Sequence, residues 1–470
     1  MLKKNDSQMT KFKLSAKQYG FLKFDYPKKS NDYLSQFIQL LGAPRDESIV
    51  QFMSEAYQLP LPHLIVSIQT DHMNTENHID NNFVISEEIK RTIQRGLAET
   101  AKITDAWIMT NGINHAMNRL VGEGLHDNVS ESDVPCFGFC SYPYSKDRIQ
   151  LQKMPVEIRH STRDNDDAHD PEIGCIGKYN RISSTTHLTS FELQKQSCIY
   201  SYKCNHVNDS YNLEPNHTHF VLFERTHNDC EYDQREQNEC DEVIRTRHEI
   251  EYGLTNLLST KVIGYDQWNE FDEWIPLVVL LLGGNLMTPR QLCFYLDKDI
   301  PVVVVRGTGG IADIVADIIA SAAKFSTSNG GKLKFNVDDW KRDRWAEVSV
   351  FRLRLARMKS LKEFHETNPH DDIERDITAL AHNNQLIVVF DPAGANGNLK
   401  DAIAAAILKR IYFRREKNAS SKYKSLAMEL KWCLVWDKVD HARQNVFATH
   451  IFENISTSHT IQEFVSSNRN

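Results

Sequence analysis

Eight consecutive apolar residues, Ile275-Pro276-Leu277-Val278-Val279-Leu280-Leu281-Leu282, end on Gly283-Gly284, and a second apolar run, Pro301 to Val305, ends on Arg306-Gly307-Thr308-Gly309-Gly310. A strand without a polar position has no face to offer water. It must be covered on both sides, which is the condition of a parallel sheet held between helices. The segments that follow each run supply the cover. Thr288 is placed to cap a helix with Pro289 at its first position, and Ile311 to Ala323 reads as a helix carrying Asp313 and Asp317 near its start. Glycines at strand ends let the backbone approach a ligand closely, and the helix N-termini behind them present free N–H groups to an anion. The same glycines also serve simply as tight βα turns.

Similar units precede this stretch. Tyr19 to Phe24 alternates like a short strand, an amphipathic helix is expected from Arg45 to Tyr57, and Leu64 to Ile68 is a buried-strand pattern. Ser86 can cap a helix whose first turn holds Glu87 and Glu88 and whose stripe is Ile89, Ile93, Leu97 and Ala101. A strand over Ala106–Thr110, a helix carrying Ile113, Met117, Leu120 and Val121, and a strand over Val134–Phe139 complete three βα units. Residues 145–212 are polar, with an acidic run from Asp164 to Asp170, and are expected to form a long surface insertion. Glu214 to Phe223 reads as a loop feeding a strand, in which His217 and His219 are hydrogen-bonding residues rather than metal ligands. After Gly331 the pattern turns helical: Val337–Leu361, Leu399–Arg414, Ser425–Trp436 and Val439–Ala448 are amphipathic, while Gln385 to Phe390 fits either a strand or a packed helical turn. The expected fold is therefore α/β: a Rossmann-like parallel sheet with helices on both faces, followed by an all-α helical-repeat module. Expected boundaries are a lead-in over 1–60, the α/β domain over 61–330 and the helical repeats over 331–470.

Composition excludes several classes. The 470 residues carry 55 Lys and Arg against 63 Asp and Glu, a net charge of −8, so no global basic field favours nucleic acid. The local basic bias of the first thirty residues is that of a solvated tail. No apolar run approaches the ~20 residues of a membrane-spanning helix, and the N-terminus has no apolar core of a signal peptide. The nine cysteines lack paired zinc-site spacing and are expected as free thiols of a reducing cytoplasm, which makes the sequons at Asn208, Asn216, Asn418 and Asn454 chance matches.

Several stretches together resemble the N-terminal cytosolic region of the melastatin-type TRP cation channels, the TRPM family. They are Tyr57-Gln58-Leu59-Pro60-Leu61-Pro62, Arg95-Gly96-Leu97, Ala106-Trp107-Ile108-Met109-Thr110, Glu214-Pro215-Asn216-His217-Thr218-His219-Phe220, the glycine loops with Ala312-Asp313, and Leu434 to Arg443. Order and spacing agree from about residue 19 to 455. The resemblance implies a Rossmann-like domain of the SLOG type followed by helical repeats, at the cytoplasmic base of a tetrameric channel built from homo- or hetero-oligomeric subunits. In ADP-ribose-gated members this domain binds the nucleotide. Carried over residue by residue, the binding positions are Thr110, Arg245, Gly283, Gly284, Gly307, Thr308 and Gly309, with ADP-ribose or a related nucleotide as ligand and no metal. A pyrophosphate is met by backbone donors and arginine forks. The chain departs from the pattern at three places. Gly310 stands where the family loop continues into an arginine, Gln69-Thr70-Asp71 replaces a diglycine, and Asn285 replaces a proline.

Three functional readings follow. The first is a regulatory, ligand-sensing cytosolic region of a TRPM-like channel, its chain ending at Asn470 without a pore and acting through channel subunits. The second is a soluble nucleotide sensor that uses Arg245, Arg247 and the Gly307–Gly309 loop. The third is a phosphoribohydrolase of the SLOG superfamily, which needs a PGGxGTxxE loop. Between Gly284 and Asp297 there is no glutamate, so no enzyme activity is expected.

Overall fold

A computed structural model describes residues 16–25, 34–40, 59, 62–70, 85–128, 134–141, 151–153, 199–203, 212–223, 243–255, 275–285, 288–328, 336–361, 373–394, 397–417 and 422–447. The expected helix over Arg45–Tyr57 and the acidic run Asp164–Asp170 lie outside these residues.

Among the described residues, eleven strands make one sheet. In chain order they are β1 (Ala16–Asp25), β2 (Leu34–Leu40), β3 (Ile65–Gln69), β4 (Trp107–Thr110), β5 (Cys136–Ser141), β6 (Leu151–Lys153), β7 (Ile199–Lys203), β8 (His219–Phe223), β9 (Leu277–Leu281), β10 (Val302–Val305) and β11 (Ile387–Phe390). Their spatial order is β11-β10-β9-β3-β4-β5-β8-β2-β1-β7-β6. The eight strands from β11 to β2 are all parallel, whereas β1 runs antiparallel to β2 and β6 antiparallel to β7. β3, β4, β8, β9 and β10 are buried at every residue, as continuous apolar or nearly apolar strands require. Two of these strands, β6 and β7, come from the stretch read as a polar insertion. Their backbones extend the sheet through β1, a pairing that short polar segments do not announce locally.

Helices cover both faces. α1 (Glu87–Thr104), α2 (Ala116–Asn128), α9 (Leu399–Lys417) and α10 (Lys422–Val435) share one apolar core with Leu64, Val66, Ile108, Val278, Leu280 and Val303. α3 (residues 243–255), α4 (Thr288–Leu296), α5 (Gly310–Ser328), α6 (Val337–Asp343), α7 (Trp345–Leu361) and α8 (Ile373–His382) enclose the other core with Ile65, Trp107, Met109, Val279, Leu281, Val302 and Val304. Alternate residues of each strand thus serve opposite cores, the period-2 geometry of a pleated chain. α1 begins as its letters suggest, with the Ser86 hydroxyl accepting from the Ile89 amide at 3.3 Å. Ile93, Leu97 and Ala101 form its buried stripe.

The segment after residue 331 is not all helix. β11 pairs in parallel with β10, and α9 packs in the core of β3 and β9, so these residues complete the α/β sandwich. Beyond α10 come a short α-helical turn, Val439–His441, and a π-helical turn, Ala442–Phe447.

Candidate functional site

The sheet reverses its strand order between β3 and β9. From β3 the chain steps outward to β4 and β5 on one side, and from β9 it steps outward to β10 and β11 on the other. α1, which follows β3, covers one face and α4, which follows β9, covers the opposite face. The two connections therefore diverge beyond the carboxyl ends of β3 and β9, the place where open α/β sheets receive ligands.

Five of the expected site residues meet here. Gly283 and Gly284 follow β9, and Gly307, Thr308 and Gly309 follow β10. The Thr308 hydroxyl joins the two loops: it accepts from the Gly283 amide at 2.9 Å and donates to the Val305 carbonyl at 2.7 Å. The Gly284 and Gly283 carbonyls in turn accept from the amides of Ile311 (3.1 Å) and Ala312 (2.7 Å). Two donors of the α5 N-terminus, expected free for an anion, are thereby used by the neighbouring loop. Asp313 Oδ1 takes the Gly307 amide at 2.6 Å. The Gly309 and Gly310 amides have no bond among the described residues. Gly310 sits at φ +57°, and a Cβ there would collide with the Gly284 carbonyl oxygen, so a side chain at that position would strain the backbone and force the loops to shift. Thr288, expected to cap α4 through its own side chain, instead opens that helix with its hydroxyl accepting from the Asn285 amide at 2.9 Å.

The two arginines of Arg245-Thr246-Arg247 part company on α3. Arg245 lies exposed in the first turn, without an ion pair or hydrogen bond among the described residues. Arg247 is 2% exposed. Its Nε donates to Glu251 Oε1 at 2.7 Å, and its Nη2 donates to Ser67 Oγ and to the carbonyls of Ile68 and Met109, each at 2.9 Å. These carbonyls belong to the carboxyl halves of β3 and β4, so Arg247 ties α3 to the sheet there, while Arg245, two residues earlier, is on the exposed side of the helix. The network continues inward. Tyr295 donates to Glu251 Oε2 at 2.6 Å, and Gln69 Nε2 donates to Tyr295 Oη at 2.8 Å and Ser67 Oγ at 3.0 Å. Burial, and then the Glu251 carboxylate, hold the Tyr295 phenol well above its ordinary pKa. Three buried atoms of this region have no partner among the described residues: Arg247 Nη1, Gln69 Oε1 and Thr70 Oγ1.

Thr110 ends β4, the strand beside β3. Its hydroxyl accepts from the Gly112 amide at 2.8 Å and lies 2.6 Å from His217 Nε2, while His217 Nδ1 lies 2.6 Å from Glu214 Oε2. All three side chains are buried. Asn216 adds two donors to the same carboxylate. Burial alone would lower the His217 pKa; the neighbouring Cys136 and Glu214 more than offset it, and the imidazole is raised to about 10. The sequence reading of His217 as a hydrogen-bonding residue matches these contacts. Neither the Glu214 link nor the inward role of Arg247, Gln69, Glu251 and Tyr295 was singled out from the letters. A signal for Arg247 existed: Glu251 stands four residues on, the spacing of a helical ion pair.

Comparison with known proteins agrees with this architecture. Residues 35–173 match the family described as SLOG in TRPM, and residues 195–346 match SLOG in TRPM, prokaryote. The chain is 23% identical over 434 residues to the transient receptor potential cation channel subfamily M member 7 of Homo sapiens, covering 91% of this chain and 18% of that protein. The channel trpm of Drosophila melanogaster is 22% identical over 442 residues, with coverages of 91% and 17%. Subfamily M member-like 2 of Nematostella vectensis is 22% identical over 406 residues, with coverages of 85% and 21%. The chain spans about a fifth of the length of these relatives.

Proposed function

Because this chain carries the SLOG domains of TRPM proteins and is a distant homologue of the N-terminal region of TRPM channels over most of its length, we propose that it is a regulatory, ligand-sensing cytosolic region of a TRPM-like cation channel. It acts through contacts with channel subunits in a homo- or hetero-tetramer at the cytoplasmic face of the plasma membrane, and the assembly passes calcium or other cations. Among the described residues no helix is long and apolar enough to cross a membrane. The ligand is ADP-ribose or a related nucleotide.

The observation that supports the sensing role is the strand-order reversal between β3 and β9, beside loops whose Gly309 and Gly310 amides have no bond among the described residues. Those N–H groups and the exposed Arg245 guanidinium are the kinds of donor a pyrophosphate takes, without Thr110, whose hydroxyl is engaged by Gly112 and His217. Calorimetric titration with ADP-ribose tests this. Arg245→Ala is expected to weaken binding about 10- to 100-fold, the loss of one charge-assisted contact. Unchanged affinity in that variant shows the transferred site to be wrong. Co-purification with channel subunits from crosslinked membranes tests assembly, and its absence favours a soluble nucleotide sensor without a channel partner. We assign no catalytic role: the loop from Leu282 to Gln291 holds no glutamate to assist glycosidic cleavage.

A further inference from the structure

The stretch Leu434 to Arg443, which the ligand-sensing role leaves unused, contains a histidine whose protonation state can be read from its neighbours. The chain leaves α10, turns at Val439–His441 and closes in the π-helical turn Ala442–Phe447, a rare form that is frequent at functional sites. Ala442 and Val446 bury one side of that turn. His441 Nε2 lies 3.0 Å from Oε1 of Glu429 on α10; the carboxylate is fully buried, and the imidazole is 33% exposed. On the other side of the ring, Asn445 Nδ2 lies 3.2 Å from His441 Nδ1 and donates to the His441 carbonyl at 3.3 Å.

These contacts select one tautomer. A carbonyl oxygen can only accept, so the Asn445 atom facing it is the amino group. The same amino group faces Nδ1, and because it only donates, Nδ1 carries the lone pair. The proton of the neutral ring is then on Nε2, which donates it to Glu429. A second proton has one place to go, Nδ1, where it would point at the Asn445 amino group. Asn445 must then give up its hold on the ring, while the imidazolium gains a charge pair with the buried carboxylate. From α10, Cys433 stands one turn beyond Glu429; burial, and then Glu429, push its thiol up to about 11, so it stays neutral. The other charged side chains of residues 438–443 pair elsewhere: Lys438 with Asp401 of α9 at 2.6 Å, and Arg443 with Asp440 at 3.8 Å.

We propose that His441 and Asn445 form a proton-operated catch on the turn Ala442–Phe447. The neutral imidazole holds Asn445, and acidification commits the ring to Glu429 and lets Asn445 go. The inference stands on these contacts and does not rest on the ligand-sensing reading. Amide hydrogen exchange of the full chain at about pH 8 and about pH 5.5, the window in which imidazoles titrate, tests it. After correction for the intrinsic pH dependence of exchange, protection of residues 439–447 relative to β9 is expected to fall about tenfold at the lower pH, the loss of one to two hydrogen bonds. His441→Gln, whose side-chain amide still donates to Glu429 but does not titrate, is expected to show equal protection at both pH values. Asn445→Ala, which serves where His441→Gln does not fold, is expected to be poorly protected at both. Ring nitrogen spectra of the wild type with labelled histidine are expected to show Nε2 protonated and Nδ1 bare at the higher pH. Equal wild-type protection at the two pH values, or a proton on Nδ1 at the higher one, overturns the catch.

Discussion

Arg247 is tolerated in the interior because Glu251, a hydroxyl and two strand carbonyls receive its protons. Removing one member strands the other. Arg247→Ala leaves the Glu251 carboxylate buried with Tyr295 as a neutral partner, and stability is expected to fall by about 3–5 kcal/mol, measured by denaturant unfolding. A loss below about 1 kcal/mol would show that the pair lies nearer to water than this packing implies. The two histidines of the Glu214–Phe220 segment act in opposite pH windows. His217, raised to about 10, stabilises the fold fully below the ordinary imidazole pKa of about 6.5, and this contribution is lost as pH climbs to about 10. His219 is lowered to about 3 by burial; its contribution is complete above about 6.5 and is lost as pH falls toward 3. Thermal melts are therefore expected to peak near pH ~6.5, with His219→Gln flattening the acid limb and His217→Gln the alkaline one. A wild-type profile that is level from pH 5 to 9 contradicts both assignments.

At the scale of elements, the two glycine loops hold each other. Thr308 bonds the β9 loop, and the β9 loop's carbonyls cap α5, so β9, β10 and α5 are joined above the sheet by their turns as well as by strand pairing. Gly310→Ala forces a left-handed backbone on a residue with a Cβ and drives that carbon against Gly284; a cost of about 1–3 kcal/mol is expected, with faster hydrogen exchange at Ile311 and Ala312. Exchange unchanged at those two amides would mean that the loops are not coupled. The opposite face shows the same kind of contact. A Cβ on Gly96 of α1 would lie 2.5 Å from the Leu399 side chain of α9, and Asn398 Nδ2 donates to Glu99 Oε2 at 2.9 Å, so α1 and α9 pack nearly backbone to backbone.

For the whole molecule, that contact ties the segment after residue 331 to the α/β sheet. Residues after 331 supply an edge strand and a core helix to the sheet. A chain cut after residue 330 is expected to lose cooperative unfolding and to bind a hydrophobic dye, since it exposes β10 along its edge and the faces of β3 and β9 under α9. Cooperative unfolding of the 1–330 fragment would instead support the boundary expected from the sequence. The helical appearance of 331–470 is real for most of its described residues. The letters could not place β11 because Ile387-Val388-Val389-Phe390 is too short to distinguish a strand from a helical turn, and its partner lies 85 residues earlier (Val302 opposite Ile387).

By itself the sequence determined the layered character of the fold. Runs such as Leu277–Leu281 and Val302–Val305 have no polar side to show to water, and the stripe Ile93, Leu97, Ala101 has only one side to bury; both facts are local and need no knowledge of neighbours. It also located the glycine loops, since turns at strand ends are written in adjacent residues. Only the tertiary structure decided the strand order, hence the reversal between β3 and β9, and the joining of β6, β7 and β11 to the sheet. It also decided which arginine of Arg245-Thr246-Arg247 turns inward and which stays exposed. That choice depends on the rotation of α3 about its axis against the sheet, a quantity fixed by Glu251, Ser67 and the carbonyls of two distant strands rather than by the three letters themselves.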